Sequence, residues 1–298
     1  MIAIAHILCP VDFSEFSAHA LHHAMALARW YEARLTLLYV FENRPVLDLP
    51  PMPLREADRQ RLLADLREVS AGAPGGVRIE CVVQEATNAH AEILAQVAAT
   101  RADLLVMGTH GRSGFQQLFL GSITEKVVRQ ATCPVLVVPR RAPDVSAGAP
   151  VQFRRILCAV DFSESSLEAL TYALNLAEEA DATLTVLHTV EIPLGGDYEG
   201  GPETLREVRA TAAADARRQL HGLIPGQART FCTIETDVVD GRAHREIVRR
   251  ADEGHADLIV MGVTGRGALE RAVFGSTTHH VLRAAPCPIL IVRGRGSA

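Results

Sequence analysis

The sequence predicts an α/β chain of two tandem, doubly wound parallel sheets with five strands each. Three observations carry this: an internal repeat, an alternation of strand and helix patterns within each copy, and a turn-rich stretch between the copies. His6-Ile-Leu-Cys-Pro-Val-Asp-Phe-Ser-Glu15 realigns with Arg155-Ile-Leu-Cys-Ala-Val-Asp-Phe-Ser-Glu164. Cys133-Pro-Val-Leu-Val-Val138 realigns with Cys287-Pro-Ile-Leu-Ile-Val292. The offset grows from 149 to 154 residues, so the second copy gained five residues in its middle. Residues 139–150, PRRAPDVSAGAP, are rich in turn formers and have no periodicity, which marks a linker. The expected division is one domain at 1–140, a linker at 141–151 and a second domain at 152–298.

Each element follows from its pattern. Ile7–Val11 is a short apolar run, as in a strand buried on both faces. Ser14 suits the cap of the next helix, where Leu21, Met25 and Ala28 recur at helical spacing. Strands follow at Leu35–Val40, Val77–Val83, Leu104–Met107 and Val135–Val138, with helices at Arg55–Val69, Ala89–Ala99 and Ser122–Gln130 between them. In the second copy the clearest strands are Ile156–Val160, Leu184–Leu187, Leu258–Met261 and Ile289–Val292. Right-handed crossovers turn such alternation into a parallel sheet. Ligands of such sheets bind beyond the carboxyl ends of the strands, where the strand order reverses. Attention therefore falls on the residues after strands one and four.

Composition narrows the partners. The 298 residues carry a net charge of −5, which offers no basic face for a nucleic acid. No stretch approaches the ~20 apolar residues of a membrane span. The first fifteen residues lack a basic leader region and read as a strand, not a secretion signal. The six cysteines form no CxxC, and the expectation is reduced core thiols in a cytoplasmic protein.

After strand four the first copy reads Gly108-Thr-His-Gly111, nine residues, then Gly121-Ser122. The second reads Gly262-Val-Thr-Gly265, nine residues, then Gly275-Ser276. Glycines let the backbone turn tightly and approach a ligand closely. Gly121-Ser122 and Gly275-Ser276 open helices, whose free N–H groups and positive dipole end suit phosphate oxygens. Arg112 and Arg266 follow the second glycine, where they can neutralise phosphate charge. The loop is neither GxxxxGK[ST] nor the GxGxxG that would follow strand one. Asp12 and Asp161 end strand one instead, where a carboxylate can accept ribose hydroxyls or sit near a phosphate-bound Mg²⁺. The same aspartates also suit helix entry beside Ser14 and Ser163.

The G-x2-G-x9-G-[ST] loops, the Val-Asp-Phe-Ser starts and the Cys-Pro-Val/Ile-Leu ends together resemble the universal stress protein family in its tandem form, over essentially the whole chain. The resemblance implies a Rossmann-like fold of the adenine nucleotide alpha hydrolase type, with strand order 3-2-1-4-5 and ATP in the crevice. It places Asp12, Val40, Met107, Gly108, His110, Gly111, Arg112, Gly121, Ser122 and Ile123 at the first nucleotide. At the second it places Asp161, Thr189, Met261, Gly262, Thr264, Gly265, Arg266, Gly275, Ser276 and Thr277. Val40 and Thr189 would meet the adenine through their backbone. ATP with Mg²⁺ is the expected ligand, with no metal held by protein side chains alone. In that strand order strand five is an apolar edge. Its pairing across the two copies, as an internal pseudo-dimer, is expected; a further homodimer is compatible with it.

The implied role is a nucleotide-dependent regulator of the stress response. The alternatives are an interaction module with vestigial sites and a slow ATPase or autophosphorylating protein. Fast turnover is not expected, because the loops carry no lysine and Asp12 and Asp161 are the only acidic candidates near them. His19, His22 and His23 are expected on a solvated helix face. His279 and His280, adjacent on a helix, should point apart. Arg140-Arg141 and Arg249-Arg250 read as surface charge.

Overall fold

A computed structural model describes residues 2–43, 53–73, 75–109, 111, 120–145, 153–191, 202–265 and 275–294. The chain divides into two compact units, one of residues 3–151 with 288–291 and one of residues 1–2, 152–287 and 292–298. The first copy runs β1 (His6–Pro10), α1 (Glu15–Trp30), β2 (Arg34–Glu42), α2 (Glu56–Ser70), β3 (Arg78–Ala86), α3 (Ala89–Thr100), β4 (Leu104–Gly108), α4 (Ser122–Gln130) and β5 (Val135–Val138). The second runs β6 (Arg155–Ala159), α5 (Glu164–Ala180), β7 (Thr183–Val190), α6 (Pro202–Leu223), α7 (Ala228–Phe231), β8 (Thr233–Asp240), α8 (Ala243–Glu253), β9 (Leu258–Gly262), α9 (Ser276–Ala284) and β10 (Ile289–Val292). The extra residues of the second copy fall between β7 and β8, where α6 and α7 replace the shorter α2.

The strand order is β3-β2-β1-β4-β5 in the first copy and β8-β7-β6-β9-β10 in the second, so both are 3-2-1-4-5. Helices cover both faces, so the central strands have no polar face. Ile7, Leu8 and Cys9 in β1 and Leu105 and Val106 in β4 are fully buried. Each such aliphatic side chain contributes about 1.5–3 kcal/mol by leaving water.

The strands end at different heights, and this opens the crevice. Pairing of β1 with β2 stops at Pro10↔Leu38, whereas β2 stays paired with β3 to Glu42↔Ala86. In the second copy β6 stops at Ala159↔Leu187 and β7 continues on β8 to Val190↔Asp240. The Val11 N–H closes the first ladder on the Leu38 carbonyl, and the Val160 N–H does the same on Leu187, both at 2.8 Å. Strand polarity alternates residue by residue. The N–H and C=O of Val40 therefore point the same way as those of Leu38, into the gap where β1 has ended. Thr189 repeats this beyond Leu187.

The expectation of a solvated histidine face on α1 fails at two of its three residues: the His19 side chain is 14% exposed. His23 is not on a solvated face: it is 3% exposed. The apolar stripe of α1 is wide enough to take positions 20, 21 and 23 through 28 inside. The His23 ring stands edge-on to His19 at 5.2 Å, and neither of its nitrogens makes a hydrogen bond among the described residues. His19 Nδ1 meets Asp144 Oδ1 at 3.0 Å.

The other surface groups behave as expected. Arg249 pairs with Glu246 and Glu253, Arg250 with Asp237, and Arg140 with Glu15. All six thiols are free, and burial pushes those of Cys9, Cys133 and Cys287 up to about 12, which leaves them protonated and inert.

Candidate functional site

The turn from β1 into α1 is built the same way in both copies. Asp12 Oδ1 accepts from the Ser14 N–H at 3.1 Å and from Ser14 Oγ at 2.6 Å. Ser14 Oγ in turn accepts from the Ser17 N–H at 3.2 Å, capping α1. Asp161, Ser163 and Ser166 repeat this at 3.1, 2.6 and 3.3 Å. Between aspartate and serine, Phe13 and Phe162 sit in the left-handed region at φ 62° and 64°. A bulky residue there costs on the order of 1–3 kcal/mol and persists only where neighbours over-determine it. Here the aspartate–serine bonds on either side do so. The strained turn throws each phenylalanine ring against the end of the second strand: Phe13 on Tyr39 at 5.2 Å, Phe162 on His188 at 4.7 Å. His188 Nδ1 is held on the Val160 carbonyl at 2.7 Å. No spacing rule in the sequence signals this repeated strain.

The glycine loops close onto this turn. A Cβ on Gly111 would lie 2.6 Å from Asp12 Oδ2, and one on Gly265 2.6 Å from Asp161 Oδ2. A Cβ on Gly108 would lie 2.8 Å from the Phe16 carbonyl oxygen. Oδ1 of the aspartate organises helix entry, one of its two expected roles, and Oδ2 faces the loop. At the far end, Gly121 and Gly275 cap α4 and α9 without any side-chain hydrogen bond. Their helix N-termini keep N–H groups that no side chain caps. Thr124 Oγ1 donates to the Gly108 carbonyl at 2.9 Å and Thr278 Oγ1 to the Gly262 carbonyl at 3.1 Å. These bonds tie each helix start to the end of its strand, a signal legible as the Thr two residues after Gly-Ser.

In the second copy these parts surround one cavity of about 860 Å³. Asp161, Thr189, Met261, Gly262, Thr264, Gly265, Gly275, Ser276 and Thr277 all line it. So do residues that sequence reasoning missed: Phe162, His188, and Ala212, Asp215, Ala216 and Gln219 from one face of α6. The helical period that puts those four on one face is visible in the sequence, but not the strand end they face. In the first copy the corresponding helix α2 closes a cavity of about 490 Å³ with Phe13, Tyr39 and Phe41. Among the described residues, none of the predicted first-copy residues lines that cavity. His110, Arg112 and Arg266 lie outside the described residues.

Two histidines flank the second cavity. His244 stacks on His280 at 4.5 Å, and His280 Nδ1 is bonded to the Ser276 carbonyl at 2.7 Å. Burial and the neighbouring His280 hold the His244 imidazole below its usual range. His279 stands edge-on to His280 at 5.7 Å, so the adjacent rings are in contact rather than directed apart. Among the described residues, no three His, Cys, Asp or Glu side chains are placed to hold a metal ion, and no helix is long and apolar enough to cross a membrane.

The model of the universal stress protein family matches residues 4–139 and again 152–293. A universal stress protein of Mycobacterium bovis is 26% identical over 274 residues, covering 87% of each chain. One from Methanocaldococcus jannaschii is 33% identical over 143 residues, 47% of this chain and 82% of its own. Among solved structures, a protein of unknown function from Pseudomonas aeruginosa PAO1 superposes with a TM-score of 0.68 at 21% identity, covering 99% of this chain and 94% of its own. A universal stress protein from Archaeoglobus fulgidus superposes with a TM-score of 0.66 at 21% identity, covering 98% of this chain and 97% of its own. With two family matches spanning nearly its whole length and the same 3-2-1-4-5 sheet in both copies, the chain belongs to the universal stress protein family, in its tandem form.

Proposed function

We propose that this protein binds ATP at the glycine-rich loop of each domain and acts in the cytoplasm as a nucleotide-dependent regulator of the stress response. The observation that supports this best is the convergence of the second copy's predicted residues on one cavity of about 860 Å³. That volume falls in the range of small-molecule sites. The polarity of its parts suits a nucleotide. Thr189 offers a backbone donor and acceptor beyond the end of β6 for a base edge, Asp161 a carboxylate for ribose, and the α9 N-terminus N–H groups for phosphate. Mg²⁺ binds through few carboxylates and the phosphates themselves, so a single aspartate in each copy fits an ion that arrives with the nucleotide.

Nucleotide released by heat from the purified protein, identified by chromatography and mass spectrometry, tests this reading. Close to two adenine nucleotides per chain are expected, with one lost in Gly121→Val, one in Gly275→Val and both in the double variant. No nucleotide, even after added Mg-ATP, would leave the interaction module with vestigial sites. Steady phosphate release by the loaded protein would favour the slow ATPase.

The domain limits 1–140 and 152–298, with a linker at 141–151, belong to the same proposal. So does the internal pseudo-dimer through β5 and β10. Both strands are four-residue apolar segments with every residue buried, and residues 288–291 group with residues 3–151. After proteolytic cleavage within 141–151, the two fragments should co-elute in gel filtration; fragments that separate without denaturant rule the pairing out.

A further inference from the structure

Besides the threonines at the starts of α4 and α9, a side chain of α5 also reaches the backbone of a glycine loop. Ser165, the second residue of α5, is 4% exposed, and its Oγ donates to the Thr264 carbonyl at 2.5 Å. Ser163 Oγ also lies 3.3 Å from that carbonyl, but it has a single proton and gives it to Asp161 Oδ1 at 2.6 Å. Ser165 therefore carries the contact. Gly262 makes room for it: a Cβ there would lie 2.5 Å from Ser165 Oγ.

Thr264 precedes Gly265, and the peptide between them is trans and planar. Its C=O and N–H point in opposite directions. Holding the Thr264 carbonyl against α5 therefore aims the Gly265 N–H away from α5, on the side where Gly275 begins α9; a Cβ on Gly275 would come within 3.8 Å of the Gly265 nitrogen. Both Thr264 and Gly265 line the cavity. The hydroxyl so orients a backbone donor before any ligand arrives, which removes part of the ordering cost of binding. The first copy has Phe16 at the matching position, a side chain with no hydrogen-bond donor, whose ring lies under the Arg140 guanidinium at 5.8 Å.

The geometry points to Ser165 as a positioning residue of the second site, which pre-orients the Thr264–Gly265 peptide for an anionic phosphate; this rests on the nucleotide-binding reading above. It acts through the loop and does not itself need to touch the ligand.

The test uses the full chain with the first site disabled by Gly121→Val. Ser165→Ala should weaken Mg-ATP binding about tenfold, the cost of ordering one residue's backbone on binding, and should lower the second domain's unfolding temperature by a few degrees, because the hydrogen bond is present without ligand as well. Ser165→Cys, similar in size but a weak donor, should weaken binding as Ser165→Ala does. Without nucleotide, the Gly265 amide order parameter should fall in both variants. Affinity unchanged in Ser165→Ala, or full affinity retained in Ser165→Cys, overturns the inference while leaving the nucleotide reading intact. An unchanged order parameter overturns it independently of any ligand. If the parent binds no Mg-ATP, the nucleotide reading falls and this inference falls with it.

Discussion

Gly262→Ala should destabilise the second domain by about 2 kcal/mol and cost it nucleotide binding. The new Cβ would meet Ser165 Oγ at 2.5 Å and the Ser165 carbonyl carbon and Ser166 nitrogen at 2.8 Å. The last two are backbone atoms of a capped helix start, so the clash cannot be relieved by turning a side chain. Overpacking of this kind costs roughly 1–3 kcal/mol. Alanine's smaller unfolded-state entropy offsets at most about 1 kcal/mol of that. In thermal unfolding the second domain's transition should fall by about 4–8 °C, from roughly 2–4 °C per kcal/mol at this size. Gly222→Ala is the control: near the end of α6, with nothing within 4 Å of its would-be Cβ, it should stabilise by up to about 1 kcal/mol. Equal effects at both positions would show that Gly262 is not sterically required.

Acid should weaken the first domain through His23. Burial, reinforced by the neighbouring His19, pushes its imidazole down to about 4, against an ordinary value of 6.5; Asp144 and the Pro143 backbone pull weakly the other way. The Pro143 contact falls short of hydrogen-bond geometry, since both ring nitrogens lack a partner. Because the folded value lies below the unfolded one, the unfolded chain takes up the proton first as pH falls. The associated stability is fully present above pH 6.5 and is lost progressively down to about pH 4. At 1.36 kcal/mol per unit, the loss is about 3 kcal/mol. His6, whose imidazole is also lowered mainly by burial, acts in the same direction. Urea unfolding of the protein and of His23→Leu at pH 7.5 and pH 4.5 checks this. The variant should be at least as stable at pH 7.5, since it removes two buried unpartnered nitrogens. Its advantage should widen by about 2.5 kcal/mol at pH 4.5. A gap that stays constant across the two pH values would mean that His23 does not titrate with unfolding.

The sequence by itself determined the tandem copies, the five strands of the first and four of the second, and the places where their loops must be read. Those properties are local. Apolar runs of four to six residues, serine caps and glycine spacing act within a few residues of the chain, so Ser122–Gln130 and Val135–Val138 come out as expected to the residue. The glycine loops were legible for the same reason, since a residue without Cβ is needed wherever backbone passes within about 3 Å of backbone. What only the tertiary structure decided involves pairs far apart in sequence. Ser165 meets Thr264 across 99 residues. The rings of the left-handed Phe13 and Phe162 pack on Tyr39 and His188, about 26 residues further along the chain. His23 is inside because α1 is covered along most of its length, so its polarity was overruled by where the helix packs. Phe41 beside α2 and Gln219 of α6 became cavity walls only when β2 and β7 outran their neighbours. Local propensities name the elements, but a side chain's neighbours across the sheet are set by strand register and helix packing, and those depend on the whole domain at once.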